Sequence, residues 1–272
     1  MVGPEVSLRR IAILGGSGGI GGALARALAA PGREIRLAAR HLPALEAVAE
    51  ECRRTGARVL CDPVDLEVEG AAAGWIRSVL AEGPLDLLIV ASGLFGGRPG
   101  PGAPVPEQLT RRLLAVNLTE VICLTEAAVA AGGVGRIVLL GSLAARDPLP
   151  DAPGYSASKA GLACYARAMQ AALDGGPVRL MLVEPGHVAT AQTRQHRGAL
   201  PFLLSPEEAA QRILQGLAQG RAHLAFPRRA AWSLALVNAL PPALRRRLMR
   251  GQRFSVDNGP EGRMRGERRW HG

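Results

Sequence analysis

Short apolar runs alternate with longer stretches rich in Ala and Leu along about the first 190 residues. Such continuous runs are typical of parallel strands that are covered on both faces. The stretches between them commonly end at Gly or Pro, as helices do. We therefore expect an α/β fold with a parallel sheet between two layers of helices. The predicted strands are 9–14, 35–39, 57–60, 85–90, 136–140 and 178–183, and the predicted helices are 20–30, 42–55, 71–81, 107–131 and 155–173.

The composition indicates a folded chain with a mostly aliphatic core. Of its 272 residues 48% are hydrophobic, which excludes a disordered chain, and only 3% are aromatic, so the core must be mostly aliphatic. The four cysteines are scattered, with no C-x-x-C pair and no histidine cluster near them. This spacing offers neither a zinc site nor a disulfide framework, so no metal is expected and the cytoplasm is the simplest location. No N-terminal stretch has the form of a secretory signal.

Most of the net charge of +10 lies at the C-terminal end of the chain. Residues 221–272 contain 12 arginines and 3 acidic residues, a balance of +9, which leaves the upstream part nearly neutral. The basic character is therefore a property of an appendage and needs a separate explanation. We predict one domain over 1–220, a C-terminal strand and apolar helical extension over 221–250, and a basic, disordered tail over 251–272.

The apolar segment 230–240 lies between two clusters of arginines. Eleven residues are too few to span a bilayer as a helix. The segment could lie on an anionic membrane surface through residues 228–250, which would make the protein a peripheral membrane protein. Alternatively, it could pack as a helix on the domain or on another subunit. Nucleic-acid binding by the tail is not expected, because aromatic residues do not interleave with its arginines.

A glycine-rich loop joins the first predicted strand to the first predicted helix, in the sequence Gly15-Gly16-Ser17-Gly18-Gly19-Ile20-Gly21. Without Cβ atoms the backbone can approach a pyrophosphate closely, and the free N–H groups at the start of the helix favour an anion. A strand before the loop and a helix after it are the context that a dinucleotide-binding loop requires. The structural alternative is a tight turn with no ligand.

The residues after the second and third strands bear on the type of dinucleotide. A carboxylate about twenty residues after the loop would accept hydrogen bonds from a free ribose 2′-hydroxyl, but here the strand ends in Ala39-Arg40-His41. A guanidinium pairs well with a 2′-phosphate, so NADP(H) is favoured over NAD(H). Asp65 follows the third strand and could accept from the adenine amino group. The alternatives are a solvated arginine and a helix-capping aspartate.

Tyr155 and Lys159 lie four residues apart in a predicted helix and so share one face. A phenol with a pKa of about 10 is a poor base at neutral pH, and lowering that pKa by about three units requires about 4 kcal/mol. One cation about 4 Å away supplies about that much at an effective dielectric near 20. Lys159 is the only lysine in a chain of many arginines, which favours a specific role for a compact ammonium. A solvated helix face is the alternative.

Two further polar residues are predicted to lie near this pair. Ser142 follows the fifth predicted strand, at the edge of a parallel sheet where ligands bind. Asn117 interrupts an apolar helix at an interior position, where its amide must find partners. Taken singly, Ser142 could be a turn serine and Asn117 a helix-bending residue with satisfied hydrogen bonds.

Together, these residues resemble the short-chain dehydrogenase/reductase family. The matching features are spread in order over residues 9 to 190 and include Pro185-Gly186-His187-Val188-Ala189-Thr190. The resemblance implies a doubly wound Rossmann fold of about seven parallel strands and a tetrad of Asn117, Ser142, Tyr155 and Lys159. The cofactor-binding residues that we expect are Gly15, Ser17, Gly18, Gly19, Ile20, Gly21, Arg40, Asp65, Ser92, Gly93, Tyr155, Lys159, Pro185, Gly186, Val188 and Thr190.

The resemblance also implies an activity, the interconversion of a carbonyl and an alcohol by hydride transfer. Tyr155 would donate the proton, Ser142 would hold the carbonyl oxygen, and Lys159 would acidify Tyr155 and bind the nicotinamide ribose. Asn117 would hold a water that relays protons to Lys159. The apolar residues within 191–204 suggest a hydrophobic small-molecule substrate, although core packing explains them equally well. Family members form dimers or tetramers, so a homo-oligomer is expected.

Two positions depart from the family pattern. Leu14 replaces a Thr, and Val90-Ala91-Ser92-Gly93 replaces Asn-Asn-Ala-Gly. The second change removes amides that brace the central strands. A nucleotide-sensing binding protein without turnover is therefore the alternative to an enzyme, although the complete tetrad favours the enzyme.

Overall fold

The computed structural model of the protein describes residues 8–100, 103–198 and 200–227, together with 229, 240, 244, 255, 256 and 258. Seven parallel strands form the main sheet in the order β3-β2-β1-β4-β5-β6-β8. They are β1 (Arg10–Leu14), β2 (Glu34–Ala39), β3 (Arg58–Pro63), β4 (Leu85–Val90), β5 (Val134–Leu140), β6 (Arg179–Pro185) and β8 (His223–Phe226), with a separate pair formed by β7 (His196–Arg197) and β9 (Ser255–Val256).

Helices cover both faces of the sheet, as the alternating pattern predicts. On one face, α1 (Gly19–Leu28), α2 (Leu42–Arg53) and α7 (Pro206–Ala218) pack on apolar side chains of the strands. On the other, α3 (Ala71–Ala81), α5 (Glu120–Ala131) and α6 (Pro153–Ala172) form a second cluster. Because both faces are buried, the central strands can be apolar at every position. The doubly wound Rossmann architecture is confirmed.

The strand order reverses between β1 and β4. The chain first builds outward from β1 through β2 to β3, and then returns to add β4 on the other side of β1. The crossovers on the two sides leave a crevice at the carboxyl ends of these strands, which is where open α/β sheets bind ligands. The fold therefore determines the location of the site before any side chain is considered.

The predicted helix over 107–131 is interrupted in the structure. It consists of α4 (Glu107–Leu114), a π-helical turn (Ala115–Thr119) and α5. The whole stretch is long and apolar enough to cross a membrane, but half of its most apolar window is buried in the fold. The core helix of a soluble protein has the same properties. A π turn inserts one extra residue per turn and is often found at functional sites.

The C-terminal region is described only in part. A strand predicted to follow residue 220 is present as β8, which pairs with β6. Residues 230–239 of the apolar segment and most of the predicted membrane-binding stretch 228–250 lie outside the described residues. Within the predicted disordered tail, Ser255 and Val256 pair antiparallel with Arg197 and His196. The division of the chain at 220 and 250 stays a prediction.

Candidate active site

A cleft of about 440 Å³ opens at the carboxyl ends of β1, β4, β5 and β6. The glycine loop forms one wall, and Ser142, Tyr155 and Lys159 contribute to the opposite part. Every predicted site residue lines this cleft except Gly21 and Asn117. The fold thus brings together residues that are separated by up to 175 positions in the sequence, from Gly15 to Thr190.

The glycine loop is closely packed against the end of β4. A Cβ atom on Gly15 would lie 2.5 Å from the backbone nitrogen of Ser92, and the positive φ of 88° at Gly15 is one that other residues rarely adopt. At Gly21, a Cβ atom would overlap the carbonyl oxygen of Gly15. Gly21 therefore acts by close packing behind the loop, which explains its absence from the lining of the cleft.

The start of α1 is open to a ligand. Its N-cap residue Gly18 provides no side-chain cap, and no acidic residue occupies the first turn. A Cβ atom on Gly18 would meet no other atom within 4 Å, so there is space in front of the helix. Near this space, the Ser92 hydroxyl oxygen is buried without a hydrogen-bond partner. Free N–H groups and an orphaned hydroxyl suit an anionic, polar ligand such as the pyrophosphate of a dinucleotide.

Arg40 and Asp65 lie at the same end of the cleft. Arg40 donates from Nη1 to Glu67 Oε1 at 3.1 Å and from Nε to His41 Nε2 at 3.2 Å. Asp65 accepts at Oδ1 from the backbone N–H of Glu67 at 3.0 Å, so it stabilises the turn after β3. Asp65 does not cap a helix, because α3 begins at Ala71 with Gly70 as its N-cap and no side-chain cap. Its contact with an adenine stays a prediction.

Tyr155 lies in the first turn of α6 and lines the cleft together with Ser142, whose hydroxyl is near enough to act on the pKa of the phenol. Ser142 caps the short helix after β5, accepting from the backbone N–H of Ala144 at 3.1 Å. Since that bond uses the serine oxygen as acceptor, the hydroxyl proton remains available to a group in the cleft. Burial raises the pKa of Tyr155, and the nearby Ser142 hydroxyl opposes this rise. Tyr155 is therefore a protonated phenol at neutral pH, suited to donate a proton.

Lys159 is buried one turn further along the same helix. Its ammonium donates to the backbone carbonyl of Leu140 at 2.9 Å, and burial lowers the pKa of Lys159 to about 8. The sequence predicts that this ammonium lowers the pKa of Tyr155. The residues present have the opposite net effect on the phenol, because its desolvation outweighs the stabilisation of its anion by the Ser142 hydroxyl.

Asn117 lies in the π turn between α4 and α5 and is completely buried. Its amide oxygen accepts from Leu94 N at 2.6 Å, and its amide nitrogen donates to Leu94 O at 2.8 Å and Ser158 Oγ at 3.1 Å. These bonds brace the loop after β4 and engage both ends of the amide. The expected role of Asn117 in holding a water stays a prediction.

The segment after β6 folds over the glycine loop. The Thr190 methyl group would lie 3.1 Å from a Cβ on Gly19. Thr193 fixes this segment, since its hydroxyl accepts from Thr190 N at 2.8 Å and donates to Val188 O at 2.9 Å. Pro185 and Gly186 precede it at the end of the strand, where Gly186 N donates to Phe226 O at 2.7 Å. The segment can therefore cover a ligand that is bound at the loop.

Several residues that contribute to the site were not predicted. Phe95 packs edge-on against Tyr155, with ring centroids 5.0 Å apart. Gln192 lines the cleft and donates to the Gly93 carbonyl. Glu67 lines it beside Arg40. No spacing rule connects these residues to the tetrad, because each reaches the site from a loop whose path only the folded chain defines.

Comparisons with known proteins agree with this geometry. The sequence model of the short chain dehydrogenase family matches residues 9–200. An uncharacterized oxidoreductase of Myxococcus xanthus is 32% identical over 247 residues, which cover 88% of this chain and 94% of that protein. One from Streptomyces coelicolor is 34% identical over 246 residues, covering 89% and 96%. Among solved structures, an actinorhodin polyketide ketoreductase with NADPH superposes with a TM-score of 0.69 at 23% identity, covering 80% of this chain and 95% of the ketoreductase.

The family match spans more than half of the chain and includes the glycine loop, Ser142 and the Tyr155–Lys159 pair. The same residues line one cleft at the switch point of the sheet. A nicotinamide cofactor suits this cleft, since the open helix start and the glycine loop fit its pyrophosphate. The chain therefore belongs to the short-chain dehydrogenase/reductase family and is a nicotinamide-dependent oxidoreductase.

Proposed function

We propose that the protein is an NADP(H)-dependent oxidoreductase that interconverts a carbonyl and an alcohol on a hydrophobic small molecule. The observation that carries this proposal is the position of the Tyr155 phenol near the Ser142 hydroxyl, both lining the same cleft as the glycine loop. A half-buried phenol near a hydroxyl donor matches the needs of a carbonyl oxygen that gains negative charge and then a proton.

The residues divide the work of carbonyl reduction. The bound nicotinamide supplies the hydride. Ser142 holds the carbonyl oxygen, and Tyr155 donates a proton to it from the phenol oxygen. The raised pKa of Tyr155 keeps this proton in place at neutral pH until the carbonyl oxygen becomes basic. Lys159 binds the nicotinamide ribose and, while protonated, stabilises the phenolate that remains.

Two features support a hydrophobic substrate. Phe95 presents an aromatic ring beside Tyr155. The segment 200–204 lies next to the Pro185–Thr190 segment, to which it is joined by hydrogen bonds from Leu204 N to His187 O and from Ala189 N to Leu204 O. Within it, Phe202 and Leu203 are about half exposed, at 55% and 47%. Exposed apolar side chains beside a cleft offer a surface for an apolar ligand.

The proposal extends to the oligomeric state and the cellular location of the protein. A homo-oligomer, either a dimer or a tetramer, is proposed from family membership. The cytoplasm is the proposed location. Association of residues 228–250 with an anionic membrane surface is a subsidiary hypothesis that rests on the sequence, since nearly all of that stretch lies outside the described residues.

A panel of ketones, aldehydes and quinones tests the proposed reaction. We expect NADPH oxidation, followed by absorbance at neutral pH, that saturates with at least one apolar member of the panel. Reactions without the carbonyl compound provide the baseline. Saturable NADPH binding with no turnover across the panel would contradict the enzyme and favour a nucleotide-sensing protein.

Arg40→Asp tests the preference for NADP(H). Replacing a guanidinium by a carboxylate removes a charge-assisted partner for the 2′-phosphate and adds repulsion. We expect the ratio of NADPH to NADH affinity to fall at least about tenfold, measured by titration of cofactor fluorescence. Arg54→Asp, at an exposed arginine outside the cleft lining, is the matched control. An unchanged ratio in Arg40→Asp would refute the preference.

A further inference from the structure

A single carboxylate joins two arginines at the end of the cleft where Arg40 lies. Glu67 accepts from Arg40 Nη1 at 3.1 Å. It also accepts two bonds from Arg112, from Nε to Oε2 at 2.8 Å and from Nη2 to Oε1 at 2.7 Å. Arg112 thus holds the carboxylate in a bidentate geometry, whereas the bond from Arg40 Nη1 is longer. Bidentate pairs are the stronger kind.

The three side chains differ in their position relative to the cleft. Arg40 and Glu67 line it, and Arg112 does not. Arg112 reaches Glu67 from α4, and its side chain is only 23% exposed, against 31% for Glu67 and 38% for Arg40. The backbone N–H of Glu67 is fixed by Asp65. Glu67 is therefore held in place from behind, with Arg40 on its cleft side.

We propose that Glu67 competes with the 2′-phosphate of NADP(H) for Arg40, and that Arg112 sets the strength of this competition. This inference rests on the proposed preference for NADP(H). A carboxylate and a phosphate are both anionic acceptors for the same guanidinium, and they repel each other when both are near it. Arg112 neutralises part of the charge on Glu67, and so it weakens both the competition for Arg40 and the repulsion between the carboxylate and the phosphate. Glu67 and Arg112 are thus determinants of cofactor specificity, and Arg112 acts without touching the cofactor.

The two residues should have opposite effects. Glu67→Gln removes the competing charge, so we expect NADPH to bind about fivefold more tightly while NADH affinity changes less than about twofold, the scale of a partly exposed ion pair. Arg112→Gln leaves Glu67 without its stronger partner. We expect it to weaken NADPH binding about fivefold, again with little effect on NADH.

The double variant separates this mechanism from a general charge effect. If Arg112 acts through Glu67, then adding Arg112→Gln to Glu67→Gln should leave the affinity for NADPH within about twofold of that of Glu67→Gln alone. Arg111→Gln is the matched control, since Arg111 is the neighbouring arginine on α4 and pairs with Glu107 in solvent. We expect it to leave both affinities unchanged.

The experiment is a fluorescence titration of NADPH and NADH at one fixed salt concentration, without a carbonyl compound, on the full chain and its variants Arg40→Gln, Glu67→Gln, Arg112→Gln, Arg111→Gln and the double variant. Thermal unfolding of each variant confirms that it is folded. Opposite shifts from Glu67→Gln and Arg112→Gln, with coupling in the double variant, support the inference.

Three outcomes overturn it, and they differ from failure of the proposed cofactor preference. If Arg112→Gln weakens NADPH binding equally in the wild type and in Glu67→Gln, Arg112 exerts a long-range charge effect only. A loss of NADH binding in Glu67→Gln shows that Glu67 binds the ribose instead. Shifts confined to Arg40→Gln show that Glu67 is a bystander. If Arg40→Gln itself leaves the ratio unchanged, the preference for NADP(H) fails and this inference fails with it.

Discussion

Tyr155→Phe is expected to lower the turnover number for carbonyl reduction about 1,000-fold, within the range for loss of a general acid. The phenol oxygen is the group near the Ser142 hydroxyl in the cleft, and Phe removes it while keeping the ring that packs on Phe95. NADPH affinity should change less than about threefold, because the glycine loop and Arg40 are untouched. Steady-state kinetics measure the turnover number, and fluorescence titration measures the affinity for NADPH.

The chain offers a matched control on the same helix. Tyr165 is the only other tyrosine, and its hydroxyl donates to Glu126 at 2.9 Å outside the cleft lining. Tyr165→Phe removes the same atom and should retain activity. An active Tyr155→Phe variant, or an equal loss in Tyr165→Phe, would refute the role of Tyr155 as the proton donor.

Lys159→Met is expected to lower activity about 100-fold and to make the protein more stable at pH 7. Burial lowers the pKa of Lys159 from 10.5 to about 8, so folding at pH 7 carries the cost of burying a charge, about 3 kcal/mol. Met removes that charge but leaves the Leu140 carbonyl without its donor, which costs about 1 kcal/mol. The net expectation is a gain of about 2 kcal/mol in the free energy of unfolding.

The pH dependence of this gain follows from the same pKa. Between pH 8 and 10.5 the unfolded wild-type chain binds more protons at this lysine than the folded chain does, so wild-type stability rises with pH. The advantage of Lys159→Met should therefore be largest below pH 8 and shrink toward pH 10.5. Urea unfolding at several pH values measures it. The difference between Lys159→Met and the wild type isolates this group, since the cysteines and tyrosines that also titrate at alkaline pH are the same in both proteins.

Lys159→Arg serves as the control for charge. Arginine keeps its charge across this range, so the variant should gain no stability at any pH. A Lys159→Met protein that is less stable than wild type at pH 7 would show that the ammonium is not a net cost. It would also remove the physical basis for assigning Lys159 a functional role, since a destabilising buried cation is most simply explained by what it does in the site.

Most of the fold could be predicted from local signals. The four central strands contain apolar runs at 11–14, 87–90, 137–140 and 180–183. The boundaries found for β4 and α3 agree with the prediction at both ends. The sequence predicts one continuous helix over 107–131, because the hydropathy pattern does not reveal the extra residue of the π turn. Within the π turn, the Asn117 side chain hydrogen-bonds with Leu94 and Ser158, which lie in other parts of the chain that a local pattern does not connect to it.

The sequence alone determined which chemistry the chain can hold. Two local features carry this information: the glycine spacing between a strand and a helix, and a tyrosine and a lysine one helical turn apart. Both can be recognised without knowing the rest of the structure. Tertiary structure decided how those groups behave. Desolvation raised the pKa of Tyr155 and lowered that of Lys159, and packing brought Arg112 to Glu67 across 45 positions. Electrostatic surroundings depend on which distant atoms exclude water from a group, and residue spacing carries no information about them.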